Sequence, residues 1–173
     1  MLGEGPSPSR RVMDRLWAPW RMSYVSAAGA LPGCVFCAAI AADDDRHTLI
    51  VHRGTLACLI LNAFPYATGH LMAALYRHGC SLVDATAAEL TETMELVQRA
   101  IRALDAAYHA DGYNVGVNQG RVAGAGVPDH LHVHVVPRWT GDTNFISVIG
   151  ETRVLPEAIE CTYDRLAAAL GSR

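Results

Sequence analysis

Short, largely apolar segments recur through the middle of the chain, and segments of this length bounded by turn residues are typical of β-strands. Three such segments are separated by turn-rich stretches, and their spacing predicts an antiparallel β-sheet meander. Two further strands are predicted on either side of a glycine-rich loop. The five predicted strands cover residues 48–52, 56–61, 69–75, 113–118 and 131–137.

Two longer segments have the helical period, in which apolar residues recur at intervals of three and four. Thr86 and Glu89 have the spacing of a capping box, and the residues beyond them predict one long amphipathic helix that stops at Asp111–Gly112. A C-terminal helix is predicted with Pro156 in its first turn, and a short helix over Ala38–Ala42. These elements predict the α+β fold class.

The length of 173 residues suits one domain with its own core. Residues 1–33 are rich in Gly, Pro, Ser and Arg and predict an N-terminal arm, so a single domain is expected over residues 34–173. A hydrophobic fraction of 51% with 18% charged residues excludes a disordered chain.

The formal net charge of −3 offers no positive field for a polyanion, so a nucleic-acid partner is not expected. No apolar run reaches the length of a membrane span, and nothing at the N-terminus is typical of a signal peptide. Five cysteines form an odd set, which favours a reducing, cytoplasmic location.

All 14 positively charged residues are Arg, because the sequence contains no Lys. The absence of Lys excludes the Walker-A phosphate loop and Schiff-base chemistry. If the protein is an enzyme, its nucleophile must therefore be a His, Cys, Ser, Thr or carboxylate side chain.

Three histidines alternate with apolar residues in the predicted strand that starts near His130, and alternation places all three imidazoles on one face. One interpretation is an edge strand whose exposed positions happen to be His. The others are metal binding and nucleophilic or acid–base chemistry at a phosphate. One strand cannot easily close a tetrahedral metal site, so the row is expected to divide its roles, with the central His132 best placed as the nucleophile.

Cys34 and Cys37 form a Cys-x-x-Cys pair, which can be a redox pair, two free thiols or half of a zinc site. The spacing favours structural zinc, with His78 and His130 as candidates for the other two ligands. The remaining histidines are interpreted as surface or packing residues: His47, His52, His70 and His109.

The glycine-rich loop at 119–129 leads directly into the histidine row. Glycines let the backbone approach a ligand closely, and their N–H groups can hold an anion without any Lys. A plain connection is the alternative, but the position of the loop favours a phosphate cradle.

The segment H-L-H-V-H-V-V at His130–Val136 resembles the pattern of the histidine-triad family. Other stretches are similar to the diadenosine-polyphosphate hydrolase and phosphorylase branch of that family: L-W-A-P-W-R at 16–21, G-C-V-F-C at 33–37, L-N-A-F-P-Y-A-T-G-H-L-M at 61–72, Y-R-H at 76–78 and P-R-W-T-G-D-T-N-F at 137–145. The resemblance implies the histidine-triad fold and a homodimer paired through the long helix and a central strand.

The resemblance also implies roles for individual residues. His132 would be the nucleophile that takes a nucleoside monophosphate from the α-phosphate, and His134 would contact the phosphate oxygens and the leaving group. Asn62 falls at the ribose contact. The expected phosphate contacts are Asn118 and the backbone of Gly124, Ala125 and Gly126, and the expected ligands of a structural zinc are Cys34, Cys37, His78 and His130.

The implied activity is cleavage of diadenosine polyphosphates, such as diadenosine tetraphosphate, through a covalent nucleotidyl-histidine with water or inorganic phosphate as the acceptor. No organic cofactor is expected. Gly126 stands where many relatives have a serine, which leaves the acceptor open. The alternatives are a hydrolase of nucleoside phosphoramidates or adenylylated conjugates, and a nucleotide-binding sensor without turnover.

Overall fold

The structure is a computed structural model that describes residues 33–79, 81–142 and 155–171. Within these ranges the strands are β1 (Ile50–Arg53), β2 (Ala57–Leu61), β3 (Leu71–Leu75), β4 (Gly112–Gly116) and β5 (His132–Arg138). The helices are α1 (Val35–Ala41), α2 (Asp45–Thr48), α3 (Ala87–Tyr108) and α4 (Ile159–Leu170), and a 3-10 turn spans Arg121–Ala123. In these ranges no helix combines the length and apolar character that a membrane crossing requires.

All neighbouring strands are antiparallel, and their order in the sheet is β1-β2-β3-β5-β4. The α+β fold class is confirmed. The meander runs through β1, β2 and β3, after which β5 lies between β3 and β4. The histidine row therefore occupies an inner strand of the described sheet, so its interpretation as an edge strand is wrong.

One face of the sheet is covered by α3 and α4, which pack on the main hydrophobic core. The alternate residues Leu131, Val133 and Val135 enter this core, as the period of two predicts. Because successive side chains point to opposite faces, His132 and His134 lie on the other face.

The second face carries a smaller apolar cluster beside the imidazoles. Phe36 of α1 packs there against side chains from three strands. The buried members of this cluster are Phe36, Ile50, Cys58, Ile60, Met72 and Ala74. Helix α1 thereby brings the Cys-x-x-Cys pair to the same side of the sheet as the histidine row.

The capping box that begins α3 is confirmed. The Thr86 hydroxyl accepts a hydrogen bond from the Glu89 N–H (3.3 Å), and the Glu89 carboxylate accepts one from the Thr86 N–H (2.8 Å). The Arg77 guanidinium also binds this carboxylate and is the main reason that the pKa of Glu89 falls to about 2. The helix ends at Tyr108, before the predicted stop, because His109 adopts the left-handed conformation (φ 49°).

The strand boundaries differ from the predicted ones by one or two residues, and the larger differences concern helices and turns. Helix α1 begins at Val35, three residues earlier than predicted, directly after Cys34 at its N-cap. The first predicted strand is preceded by the helical turn α2, because the Asp44 side chain caps the His47 N–H and Leu49 turns left-handed. The C-terminal helix begins at Ile159, not in the turn of Pro156.

Two predicted regions fall outside the described residues. The N-terminal arm over residues 1–33 is described only at its last residue, so its boundary with the domain over residues 34–173 stays a prediction. The last part of the P-R-W-T-G-D-T-N-F stretch, from residue 143, also lies outside.

Candidate active site and metal cluster

Strand β5 holds His132 and His134 in register with β3, and His130 lies two residues before the strand begins. His132 lies opposite Ala74, and His134 lies opposite Met72. The small Ala74 side chain leaves room for the imidazole of His132, which is 5% exposed. The rings of His132 and His134 meet edge to face, with centroids 4.9 Å apart.

The four residues expected to bind zinc converge at the beginning of β5. Their ligand atoms all lie within 4.8 Å of one another. The Nδ1 atom of His130 is 3.3 Å from the Cys34 Sγ and 3.6 Å from the Cys37 Sγ, and the Cys37 Sγ is 3.4 Å from the Nδ1 of His78. Tetrahedral zinc, with bonds of about 2.3 Å to sulfur and about 2.0 Å to nitrogen, separates sulfur and nitrogen ligands by roughly 3.5 Å. The donor set and its spacing therefore fit zinc.

The tautomer of His130 also suits a metal ligand. Its Nε2–H donates a hydrogen bond of 2.6 Å to the backbone carbonyl of Leu75, which leaves the Nδ1 lone pair facing the two thiols. A backbone carbonyl that fixes the ring in this way is the usual outer partner of a metal-bound imidazole. The Gly79 N–H bonds the Asp129 carbonyl (2.8 Å) and joins the two segments that carry His78 and His130.

His132 is held by its Nδ1–H, which donates a hydrogen bond of 2.8 Å to the backbone carbonyl of His130. The other ring nitrogen, Nε2, consequently carries the lone pair. Burial lowers the pKa of His132, while the bond to the carbonyl opposes this shift. The Phe36 ring packs at 4.8 Å from the imidazole. The ring is therefore fixed, neutral and able to act as a nucleophile through Nε2.

His70 was interpreted from the sequence as a surface or packing residue, but the structure places it in the site. It is 0% exposed, and its Nε2 lies 3.0 Å from the Nδ1 of His134. Its Nδ1 accepts a hydrogen bond of 3.1 Å from the backbone N–H of Tyr66. The histidine row thus continues into a fourth imidazole, that of His70. This residue directly precedes β3 and is 64 residues from His134 in the sequence.

Asn62, the expected ribose contact, lies at the end of β2 and is buried beside His70. Its Oδ1 accepts the Phe64 N–H (2.9 Å), and its Nδ2 lies 3.3 Å from the Nδ1 of His70. The segment 62–70 therefore folds back on itself and brings Asn62 and His134 to the same imidazole.

The expected phosphate contacts follow β4: Asn118 is partly buried between this strand and the glycine-rich loop, and Gly124, Ala125 and Gly126 lie within the loop. Gly124 has a positive φ of 88°, which favours glycine, and its N–H donates to the Arg121 carbonyl (3.0 Å). The Ala125 N–H donates to the Gly120 carbonyl (3.3 Å). Two of the three expected phosphate-binding amides are thus engaged within the loop, and Gly126 follows them.

An apolar surface lies beside His132. Phe36 contacts His130 and His132 through its ring, and Val127 of the glycine-rich loop packs on the same cluster. An apolar surface next to a fixed nucleophile and a glycine-rich loop can accept a flat base while its phosphate reaches the imidazoles. The arrangement is suited to chemistry on a nucleotide phosphate.

The sheet, the inner strand with three alternating imidazoles and the loop before it define a histidine-triad protein. The family model described as "HIT domain" matches residues 43–141, and the chain belongs to this family.

Relatives extend the comparison over most of the chain. The chain is 42% identical over 166 residues to the "AP-4-A phosphorylase" of Mycobacterium tuberculosis, covering 91% of this chain and 85% of that protein. It is 32% identical over 105 residues to "Adenosine 5'-monophosphoramidase" of Saccharomyces cerevisiae, covering 61% and 62%. The solved structure of a Zn-bound histidine triad family protein from Mycobacterium smegmatis superposes with a TM-score of 0.66 at 31% identity, covering 80% of this chain and 94% of that chain.

Proposed function

We propose that this protein cleaves diadenosine polyphosphates by nucleotidyl transfer to His132. The observation that carries the proposal is the hydrogen bond from His132 Nδ1 to the His130 carbonyl, because it leaves Nε2 as the nucleophilic atom in a row of imidazoles. The relative named AP-4-A phosphorylase supports diadenosine tetraphosphate as the substrate. The same name favours inorganic phosphate over water as the acceptor.

The reaction is a double displacement. The Nε2 lone pair of His132 attacks the α-phosphorus, a P–N bond forms, and the P–O bond to the leaving nucleotide breaks with its electron pair on oxygen. An oxygen of phosphate or water then attacks the nucleotidyl phosphorus from the vacated side, and the P–N bond breaks with its electron pair on Nε2, which regenerates His132. When water is the acceptor, its proton passes to the solvent. With diadenosine tetraphosphate the leaving group is ATP, and the second product is ADP with phosphate or AMP with water.

Nucleotide recognition is proposed for residues around this nucleophile. Asn62 holds the ribose, and the apolar surface at Phe36 accepts the base. Asn118 and the backbone from Gly124 to Gly126 bind phosphate oxygens. Since the Gly124 and Ala125 N–H groups donate within the loop, the loop must adjust its hydrogen bonds when phosphate binds.

Zinc is proposed as a structural ion. Cys34, Cys37, His78 and His130 would hold it, and the fit of their spacing supports this assignment. When bound, zinc would tie α1 to the beginning of β5 and contribute free energy to folding. The hydrogen bond to the Leu75 carbonyl fixes the His130 ring, and the His130 carbonyl in turn orients His132.

The test of the function is product analysis with purified protein and diadenosine tetraphosphate, with and without inorganic phosphate. ADP and ATP in equal amounts, formed only with phosphate, are the expected products. AMP and ATP would identify water as the acceptor. Absence of cleavage under both conditions would contradict the proposed function.

A phosphoramidate or adenylylated-conjugate hydrolase is the second candidate, and the similarity to the yeast monophosphoramidase favours it. The same nucleophile would serve, but the leaving group would be an amine. The ratio of activity on diadenosine tetraphosphate to that on adenosine phosphoramidate distinguishes the two. A non-catalytic sensor would cleave neither substrate.

We also propose a homodimer. In the described sheet, β4 is an edge strand whose residues Asn114, Val115 and Gly116 are exposed, so a second copy can pair along it. Of the apolar residues near the start of α3, Val97 is buried in the core, whereas Met94 is 49% exposed and can reach a partner. Sedimentation at micromolar concentration is expected to give a dimer, and a monomer would overturn this proposal.

A cytoplasmic location is proposed from the cysteines. Those in the described residues, Cys34, Cys37, Cys58 and Cys161, form no disulfide with one another. Thiols of this kind persist in a reducing compartment.

A further inference from the structure

The hydrogen atoms around His70 can be assigned from its partners. The backbone N–H of Tyr66 can only donate, so the Nδ1 of His70, at 3.1 Å, must accept. The Asn62 amide reinforces this assignment, because its Oδ1 is occupied by the Phe64 N–H and its Nδ2 group faces the same Nδ1. The ring hydrogen of a neutral His70 therefore sits on Nε2.

This assignment determines the tautomer of His134. The Nε2–H of His70 donates to the Nδ1 of His134 at 3.0 Å, so Nδ1 of His134 keeps its lone pair. The hydrogen of His134 is then on its Nε2, the atom away from His70. Burial keeps His70 neutral, because it lowers the pKa of this ring to about 3.

We propose that His70 is a positioning residue that holds His134 as an Nε2–H donor toward the leaving group. The proposal rests on the proposed function for its substrate, but the assignment of the tautomers does not depend on it. The Nε2–H of His134 is oriented by hydrogen bonds that start in a single loop, residues 62–70, and not by the Cys/His cluster.

The donor acts on the bond that breaks. As the P–O bond lengthens, its electron pair moves onto the leaving oxygen, and the Nε2–H of His134 donates a hydrogen bond to that oxygen. No proton is transferred, because a neutral His134 that lost its hydrogen would become an imidazolate. A polyphosphate leaves as an anion, so a hydrogen bond is sufficient.

Two substitutions separate this role from packing. In His70→Asn the side-chain amide can occupy the place of Nδ1 and keep a contact with the Tyr66 N–H, but it is too short to reach His134. In His70→Gln the amide nitrogen can reach the place of Nε2 and donate to His134. His47→Asn is a matched control, since His47 lies in the exposed turn α2.

The first measurement reads the tautomers by ¹⁵N NMR of the imidazole nitrogens in the full-length protein at neutral pH. Both His70 and His134 are expected as Nε2–H tautomers in the wild type. In His70→Asn the Nδ1 of His134 loses its donor, so its ¹⁵N shift is expected to change. An Nδ1–H tautomer of His134 in the wild type would overturn the proposal, even if every variant failed to fold.

The second measurement compares two aryl esters of AMP, the 4-nitrophenyl ester with a good leaving group and the phenyl ester with a poor one. His70→Asn is expected to lower kcat/KM for the phenyl ester about tenfold more than for the 4-nitrophenyl ester, which corresponds to about 1.4 kcal/mol. His70→Gln and His47→Asn are expected to leave this ratio within about threefold of the wild-type value.

Equal losses on both esters in His70→Asn would mean that His70 serves packing alone, and would overturn the proposal. Cleavage of the esters with the expected ratio, but none of diadenosine tetraphosphate, would contradict the proposed substrate and still support the role of His70.

Discussion

The two ends of the histidine row are held by different kinds of structure. At the first end, His130 faces two thiols of α1 and the imidazole of His78, in a cluster whose donors and spacing fit zinc. At the other end, the Nδ1 of His134 is hydrogen-bonded to the Nε2 of His70. The Nδ1 of His70 accepts a hydrogen bond from the Tyr66 N–H and lies against the Asn62 amide. One end is a Cys/His cluster whose donors suit the proposed zinc ion, and the other is a chain of hydrogen bonds between protein groups.

The two ends are therefore expected to influence different parts of the reaction. His132 receives its orientation from the His130 carbonyl, so the Cys/His cluster is expected to act on the proposed attacking atom, Nε2 of His132. His134 receives its orientation from His70, so the other end acts on the leaving group. Changes at the first end are expected to affect formation of the P–N bond and stability, and changes at the other end to affect the response to the leaving group.

The largest effect is expected at the centre of the row. His132→Asn should abolish turnover, a loss of roughly 10⁴-fold or more, because the nucleophile forms its bond only along the reaction path. Nucleotide binding should stay within about tenfold of wild type, or roughly 1.4 kcal/mol. The measurement is a brief reaction with radiolabelled diadenosine tetraphosphate, quenched in alkali, in which phosphohistidine-type bonds survive.

Label on the wild-type protein and none on the His132→Asn variant is the expected result. Comparable turnover by the variant would show that water attacks the phosphorus directly. The Cys/His cluster would then have no role in orienting a nucleophile.

The metal end is expected to show the next largest effect, on stability. Metal analysis of protein purified without chelators should give about one zinc per chain, and Cys37→Ser should lose the ion and several kcal/mol of folding free energy. Cys161→Ser is the control, because this thiol is exposed and is not a member of the cluster. If the protein is fully stable without metal and Cys34 and Cys37 are both freely alkylated, the assignment of a structural zinc to this cluster is wrong.

The metal end was also the more predictable end. Cys-x-x-Cys is a local pattern, the period of two places three imidazoles on one face, and spacing had already made His78 and His130 the candidates that the resemblance also implies. The structure brings all four together from segments 41 and 93–96 residues apart. The capping box at Thr86 was equally local and is confirmed.

The other end had no such pattern. His70 is a single histidine after Thr68-Gly69, and its role depends on a partner 64 residues away across the sheet. The position of β5 between β3 and β4 was likewise hidden, because strand order is set by pairing between distant segments. Local signals identify elements, whereas the partner of an isolated polar residue becomes visible only after the strands are paired.

A side chain at Gly69 should destabilise the segment 62–70, which contains His70, because the backbone at Gly69 is left-handed and has little free space around it. Gly69 has a φ of 81°, and a Cβ there would lie 2.8 Å from the Leu104 Cδ2. Gly69→Ala is expected to lower the free energy of unfolding by about 2–3 kcal/mol, measured in urea. Gly141→Ala has the same kind of φ (80°) without a nearby atom and should cost about 1 kcal/mol. Equal losses would exclude a steric contribution at Gly69.

The smallest expected effect is the response of stability to acid. The pKa of His70 is lowered to about 3, chiefly by burial, so this ring binds a proton more readily in the unfolded chain, near pH 6.5, than in the folded protein. Its contribution to stability is complete above pH 6.5 and is lost as the pH falls toward 3. At pH 5 the loss amounts to about 2 kcal/mol.

The measurement is urea unfolding of the wild type and His70→Gln between pH 7 and pH 5. Acid would weaken the proposed zinc site equally in both proteins, so the difference between them isolates His70. The wild type is expected to lose about 2 kcal/mol more than the variant over this range. Parallel curves would show that His70 titrates in the folded protein as it does in the unfolded chain, in which case burial would not hold the ring neutral below pH 6.5 and its bond from the Tyr66 N–H would be lost already in mild acid.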